Sequence, residues 1–303
     1  MAAAQQASVS NAADERGAAI GSARLLLSCA DRPGIVAAVS SFLFRQGANI
    51  IDSVQHSTDP VGGTFFMRLE FTLERIEERQ AALEHEFTSE VAERFEMGWR
   101  LSREGELKRM AVLVSRHDHC LLDLLWRWRR NDLDADVVQI VSNHPDLEST
   151  VREFGLPYAH IPVERDRKPE AESRLLSILD GRADFVVLAR YMQILSGGFL
   201  ARVGIPIINI HHSFLPAFVG PDPYRRAFDR GVKIIGATAH YVTEDLDEGP
   251  IIEQDVARVS HRHDAAELEQ IGRDIERTVL ARAVKWHLED RVIVHGNKTF
   301  VLV

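Results

Sequence analysis

The sequence predicts an α/β protein in two domains: an N-terminal ferredoxin-like α+β unit, then a doubly wound, mostly parallel sheet. Three observations lead there. The chain has 303 residues and 45% hydrophobic content, enough for about two domains at roughly 150 residues each and for a sizeable core. Its first hundred residues read strand-helix-strand-strand-helix-strand, the order of the split βαβ motif. Beyond Lys108, compact apolar runs alternate with helical patterns, as a parallel sheet with helical crossovers requires.

Residues 1–22 are rich in Ala, Ser, Gln and Asn and lack an apolar stretch after a basic start, so they read as a disordered tail rather than a secretion signal. The first domain spans 23–103. Its opening run Leu25-Leu26-Leu27 is broken by Asp31-Arg32-Pro33-Gly34, which starts a helix with proline in its first turn. Ile35, Val36, Val39, Phe42 and Leu43 follow at helical spacing. Residues 49–57 alternate as a strand, 60–63 supply a turn, and 64–73 give a second strand with Phe65, Met67, Leu69 and Phe71 on one face. A charged helix over 76–95 and a strand near 99–101 complete the unit. Residues 104–107, polar and containing Gly105, form the linker.

The second domain spans 108–303. Residues 110–114, 135–141, 184–189 and 205–210 read as strands, separated by helical patterns at 121–128, 173–179 and 197–201. Residues 233–242 and 251–259 read as strands able to pair antiparallel, 265–287 as a long amphipathic helix, and 292–294 with 299–303 as a hairpin closed by Gly296-Asn297. No internal repeat is present.

Lys plus Arg number 36 against 45 Asp plus Glu, a formal charge of -9, and no basic block offsets it, which argues against a nucleic-acid partner. The longest apolar runs, such as 185–189, fall far short of the roughly 20 residues of a membrane span. Two cysteines, Cys29 and Cys120, are too few for a disulfide framework or a cysteine-built zinc site, which fits a reducing cytoplasm. Trp126 and Trp128, beside Arg127, Arg129 and Arg130, follow four leucines at helical spacing and read as core and interface packing.

The densest polar cluster closes the fourth strand of the second domain: Asn209-Ile210-His211-His212-Ser213-Phe214-Leu215-Pro216. Strand alternation points Asn209 and His211 the same way, at the carboxyl end where doubly wound sheets place ligands. An amide can hold a developing oxyanion and an imidazole can donate a proton to it. By residue type alone the same segment also reads as a strand end with a turning Asn and a partly buried His. A second cluster, Thr243-Glu244-Asp245-Leu246-Asp247-Glu248-Gly249-Pro250, forms an acidic loop. Asp247, flanked by Leu246 and the Gly249 turn, is the carboxylate expected to face inward, where it could orient or deprotonate a water beside His211.

These motifs, with His240 and Asp245-Leu246-Asp247-Glu248-Gly249-Pro250-Ile251-Ile252, resemble the signature of folate-dependent formyltransferases across most of 108–303. The resemblance implies a catalytic triad of Asn209, His211 and Asp247, with His240 as an accessory histidine. The segment 189–196 is similar to the family's pterin-holding loop, implying folate contacts from Arg190, Tyr191, Met192, Gln193, Ile194 and Leu195, joined by Val242 and Thr243. The N-terminal unit resembles an ACT-type regulatory domain, with Asp31, Arg32, Pro33 and Gly34 forming the turn into its first helix. That implies an amino-acid effector and a homo-oligomer built by pairing such domains.

Within this family the open question is the formyl acceptor. A glycinamide ribonucleotide transformylase must hold its acceptor's phosphate, a task suited to a glycine-rich turn at a helix start. Here the first strand of the second domain runs into Ser115-Arg116-His117-Asp118-His119-Cys120, without glycine and with a carboxylate. Water is then the expected acceptor, so the implied reaction is hydrolysis of 10-formyltetrahydrofolate to formate and tetrahydrofolate. In it Asn209 and His211 stabilise the oxyanion and Asp247 positions the water; the sequence leaves open whether His211 or Asp247 is the formal base. No cofactor beyond the folate substrate is implied.

After Pro216 the chain departs from the family pattern, with Val219 where lysine is frequent and Pro221-Asp222 where Ala-Asn is usual, which implies a weaker preference for polyglutamate tails. Two other functions compete. His117-x-His119, His211-His212 and His261-x-His263 would suit a metal hydrolase, but no closed ligand set such as His-Glu-x-x-His accompanies them, and the pairs at 117 and 261 read as loop and surface residues. A non-catalytic folate and amino-acid sensor would be marked by a lost triad member, yet all three are present.

Overall fold

The computed structural model describes residues 20–59, 61–216 and 222–303. The tail through residue 19, Pro60 of the expected turn, and the departures at Val219 and Pro221 lie outside the described residues. The chain divides into two compact units, Met1–Glu106 and Leu107–Val303.

In the first unit, β1 (Ile20–Ala30) lies between β3 (Thr64–Glu74) and β4 (Gly98–Arg103), with β2 (Asn49–Ser57) outside β3, giving the antiparallel order β2-β3-β1-β4. Residues 20–22, expected in the tail, are strand: Ile20 pairs with Glu74 and Ser22 with Thr72. The register sets Leu25 opposite Leu69 and Leu27 opposite Met67, so the alternating apolar residues of neighbouring strands fall on one face. That face is covered by α1 (Ile35–Arg45) and α2 (Ile76–Phe87).

The helix α1 buries Ile35, Val39, Phe42 and Leu43, whereas Val36 falls off this stripe and is 40% exposed. Gly34, at φ +97°, caps α1, so Pro33 sits in the preceding turn and not in the first helical turn. The expected helix over 76–95 is continuous but contains a π turn over Thr88–Ala92 before its last segment, α3 (Glu93–Phe95). Phe87, Val91 and Phe95 recur every fourth residue, a spacing that drifts around a 3.6-residue helix. The wider turn keeps all three buried.

The second unit winds outward from β5 (Lys108–Val114). The chain passes through α4 (His119–Arg129) to β6 (Ala135–Ser142), then through α5 (Glu148–Glu153) to β7 (Tyr158–His160). It returns through α6 (Lys168–Leu179) to β8 (Phe185–Ala189) on the other side of β5, and through α7 (Gly197–Val203) to β9 (Ile207–His211). After α8 (Pro223–Arg230), β10 (Ile234–Tyr241) and β11 (Ile251–Arg258) extend that edge antiparallel, giving β11-β10-β9-β8-β5-β6-β7. Then come α9 (Ala265–Leu288) and the hairpin β12 (Val292–His295) and β13 (Lys298–Val301).

Alternation along β5 divides the core. Met110, Val112 and Val114 pack with Leu121 and Leu125 of α4 and Val279 and Ala283 of α9, while Ala111 and Leu113 pack with Leu175 of α6 and Phe199 of α7. A parallel sheet covered on both faces is what near-continuous apolar strands require. The winding reverses at β5 and β8, which opens a crevice at their carboxyl ends.

Trp128 packs on this core and its Nε1 donates to the Ala135 carbonyl, whereas Trp126 is half-exposed against Phe154. Both cysteines are buried and unpaired. Among the described residues no helix is long and apolar enough to cross a membrane.

Candidate active site

At the crevice, Ser115 follows directly on β5 and ties the strands together. Its backbone N–H donates to the Arg190 carbonyl (3.2 Å), its hydroxyl donates to Asn143 Oδ1 (2.7 Å) and accepts from the Met192 N–H (2.9 Å). Beyond it lies a cavity of about 840 Å³, bounded by residues of the second unit and within the usual range for small-molecule sites.

Asn209, His211, His240 and Asp247 meet on one wall. The antiparallel register of β9 and β10 sets Asn209 directly opposite His240, and Asn209 Nδ2 lies 3.2 Å from His240 Nε2. His240 Nδ1 lies 2.9 Å from the Tyr241 carbonyl, which can only accept. The ring proton therefore sits on Nδ1, leaving Nε2 to accept from the amide. Asp247 reaches both histidines, with Oδ2 at 3.2 Å from His211 Nδ1 and Oδ1 at 3.7 Å from His240 Nε2.

Burial alone would raise the Asp247 carboxyl, but the hydrogen bond from His211 and the neighbouring His240 imidazole outweigh it and hold the group well below the usual carboxylate range. His211 Nε2 is buried without a hydrogen-bond partner. A carboxylate held between two imidazoles, with a free ring nitrogen and an amide beside it, is equipped to orient a water and stabilise an oxyanion.

Asp247 is turned inward by the loop's backbone and not by an apolar neighbour, since Leu246 is 58% exposed. Asp247 adopts a left-handed φ of +59°. The loop then folds back so closely at Gly249 that a Cβ there would stand 1.8 Å from the Tyr241 carbonyl oxygen. Asp245 and Glu248 remain exposed.

The expected folate loop borders the same cavity through Arg190, Tyr191, Met192, Gln193, Ile194 and Leu195, and Val242 and Thr243 line it as well. Met192 and Ile194 are 52% and 59% exposed, an apolar surface suited to a flat ring. Burial pushes the Tyr191 hydroxyl up to about 12. Asp31, Arg32, Pro33 and Gly34 belong to the first unit: Asp31 Oδ2 accepts from the Ser57 hydroxyl (2.5 Å), and Arg32 stacks on Phe95.

A second polar cluster in the cavity escapes the sequence reading. Glu276, on α9 and 1% exposed, is held by His119 Nε2 (2.8 Å) and the Tyr224 hydroxyl (2.5 Å), with Arg190 Nε at 3.5 Å. Burial raises its carboxyl, but the His119 hydrogen bond, the Arg190 charge and the Tyr224 hydrogen bond bring it below its ordinary value. Burial and the Glu276 carboxylate push the Tyr224 hydroxyl far up. His119, expected as a loop or surface residue, is therefore a partly buried partner at the start of α4, whereas His261 is exposed. His212 stacks on His211, with ring centroids 5.2 Å apart, and burial followed by the charges of Arg190 and His211 lowers it to about 3.

The donor atoms of His119, Cys120 and Glu276 lie within 4.8 Å of one another. The guanidinium beside Glu276 and a thiol that burial pushes far up oppose a cation there. A charged residue on the buried stripe of α9, at Leu268, Gly272, Glu276, Val279 and Leu280, was the sequence signal for this cluster.

A formyl transferase family model matches residues 108–284 and an ACT domain model matches 23–85. The formyltetrahydrofolate deformylase of Mycobacterium tuberculosis is 59% identical over 278 residues, spanning 92% of this chain and 90% of the relative. That of Bacillus subtilis is 55% identical over 279 residues, spanning 92% and 93%. The crystal structure of a formyltetrahydrofolate deformylase from Pseudomonas syringae pv. tomato superposes with a TM-score of 0.87 at 47% identity, covering 95% of this chain and 96% of the other.

Proposed function

The chain belongs to the formyltetrahydrofolate deformylase family, an enzyme family that hydrolyses 10-formyltetrahydrofolate to formate and tetrahydrofolate, and we propose that Asn209, His211 and Asp247 perform that reaction in this chain. The observation that supports the assignment is the shared carboxylate: Asp247 engages His211 Nδ1 while His211 Nε2 is left without a partner.

In this reading Asp247 orients the attacking water. As the water oxygen bonds to the formyl carbon, the carbonyl electron pair moves to the formyl oxygen and a water proton passes to Asp247. The oxyanion accepts hydrogen bonds from the Asn209 amide and from Nε2–H of His211 in its protonated form, whose Nδ1–H faces Asp247. Collapse of the intermediate breaks the bond to N10, which takes up a proton, and the formic acid released ionises to formate. One water is consumed and one proton liberated. General acid–base help is worth roughly 100- to 10,000-fold, with a comparable factor for a preorganised oxyanion donor.

His240 acts on Asp247 and Asn209 and not on the substrate, which makes it a positioning residue. The pterin ring lies along the apolar surface of Met192 and Ile194. Water is the acceptor because the start of α4, where a phosphate-bearing acceptor would dock, faces the protein's own Glu276 carboxylate through His119. The ACT-type unit binds an amino-acid effector near Asp31, Arg32, Pro33 and Gly34, and the enzyme works as a cytoplasmic homo-oligomer. Asn209→Ala, His211→Ala and Asp247→Asn, each compared with wild type by circular dichroism and steady-state kinetics, test the assignment. Each is expected to keep its fold and lose at least 100-fold in kcat; a variant within about 3-fold of wild type would remove that residue from the chemistry.

A further inference from the structure

Among the described residues of the second unit, three buried side-chain nitrogens lack a hydrogen-bond partner: His211 Nε2, Arg190 Nε and Arg190 Nη1. The first faces the formyl group in the mechanism above. The other two belong to a guanidinium that is 9% exposed, where an unmade hydrogen bond of a charged donor is costly. Three features hold it there.

Arg190 follows directly on β8 with a left-handed φ of +64°, unfavourable for a residue with a long side chain. Its carbonyl is fixed by the Ser115 N–H. Glu276 Oε2 stands 3.5 Å from Nε without meeting hydrogen-bond geometry, and is itself occupied by His119 and, through Oε1, by Tyr224. Tyr224 reaches Glu276 only because Gly272, one turn earlier on α9, leaves the space; a Cβ there would stand 2.1 Å from its ring. The cluster is thus packed to steady one guanidinium at the cavity wall while leaving two of its nitrogens unsatisfied.

Leu188 pairs with Asn209 across β8 and β9, so Arg190 and His211 leave the ends of adjacent strands, and His212 stacks on the His211 ring beside them. The guanidinium fork matches a planar carboxylate, and its burial selects a small one. Resting on the hydrolase reading, we infer that Arg190 is a product subsite: its guanidinium, two of whose nitrogens lack a partner, grips the carboxylate of formate along one edge of its fork after the bond to N10 breaks, with Glu276 as the positioning residue. Formate drawn to Arg190 vacates the formyl position beside N10 and so opposes the reverse reaction. The same fork would also suit a carboxylate of the substrate's glutamate tail, and the experiment separates the two sources.

The test is a titration of ¹³C-formate into folate-free protein, followed by NMR, for wild type, Arg190→Lys and Arg190→Gln, together with a crystal of wild type soaked in formate. Saturable binding is expected, weakened at least 10-fold by Arg190→Gln and less by Arg190→Lys, with formate oxygens about 3 Å from the guanidinium in the crystal. The crystal arm stands even if the variants fold poorly. Equal binding to Arg190→Gln, or formate bound only elsewhere, would overturn the inference. So would a KM raised 10-fold by Arg190→Gln only for substrate bearing the glutamate tail, with formate binding unchanged. Wild type that hydrolyses the substrate yet binds no formate at Arg190 rejects this inference alone. Wild type that hydrolyses nothing rejects the proposed function, while the titration, which needs no turnover, still decides the subsite.

Discussion

Asn209 and His240 face each other across β9 and β10, amide nitrogen 3.2 Å from ring Nε2, so the same imidazole that accepts from the amide also stands 3.7 Å from the Asp247 carboxylate. Two of the proposed catalytic groups are therefore oriented by one buried side chain. His240→Ala is expected to lower kcat about 10-fold while changing KM less than 3-fold, because the loss is one of alignment and proton affinity and not of substrate contact. The pH profile of kcat should shift in the variant; an unchanged profile would mark His240 as merely structural.

The depressed Asp247 carboxyl links activity to stability. A carboxylate whose folded value lies below its unfolded value of about 3.9 contributes stability that is fully present above that value and lost as pH falls toward the folded one. Asp247→Asn should thus narrow the difference in unfolding free energy between pH 7 and pH 3, measured by urea titration at both. An unaltered acid limb would contradict the electrostatic picture of the site.

Gly249 provides a steric test. With Tyr241 O only 1.8 Å from the position of an added Cβ, Gly249→Ala must displace the loop that presents Asp247. A loss of about 1–3 kcal/mol in stability and a fall in kcat at least as large as that of His240→Ala are expected. A fully active Gly249→Ala enzyme would show that Asp247 is not held by this turn.

The His119, Cys120 and Glu276 group faces a fixed cation in Arg190, so prolonged dialysis against EDTA should leave kcat unchanged. Loss of activity restored by zinc would revive the metal-hydrolase reading.

Glycine or methionine added to the full-length enzyme should change either kcat or KM for 10-formyltetrahydrofolate through the ACT-type unit. No response to either amino acid would count against regulation by these two effectors.

Local pattern made much of this legible. The face carrying Phe65, Met67, Leu69 and Phe71 is buried as alternation requires, and Asn209 and His211 share a cavity wall because strand side chains two apart share a side. The Gly249 turn marks Asp247 in the sequence, although its exposed neighbour Leu246 has no part in turning it inward. Pro33 falls just outside the helix because one left-handed glycine, Gly34, sets the cap, and Val36 lies within the helix but about 100° round from Ile35, off the buried stripe. Of the Glu276 cluster only Glu276 itself is legible, as a charge on the buried stripe of α9; its partners are not, because its bonds join residues 157 and 52 positions apart and no local period announces a contact of that span. Resemblance supplied the reaction; spacing alone left the strand end at Asn209 open to a structural reading.

The central claim, that water and not an amine takes the formyl group, is tested most directly by incubating purified wild-type protein with 10-formyltetrahydrofolate, with and without glycinamide ribonucleotide, and measuring tetrahydrofolate and formate. Equal release of both products in the two incubations, lost in Asp247→Asn, is the predicted result. Tetrahydrofolate formed only when glycinamide ribonucleotide is present, without free formate, would contradict it.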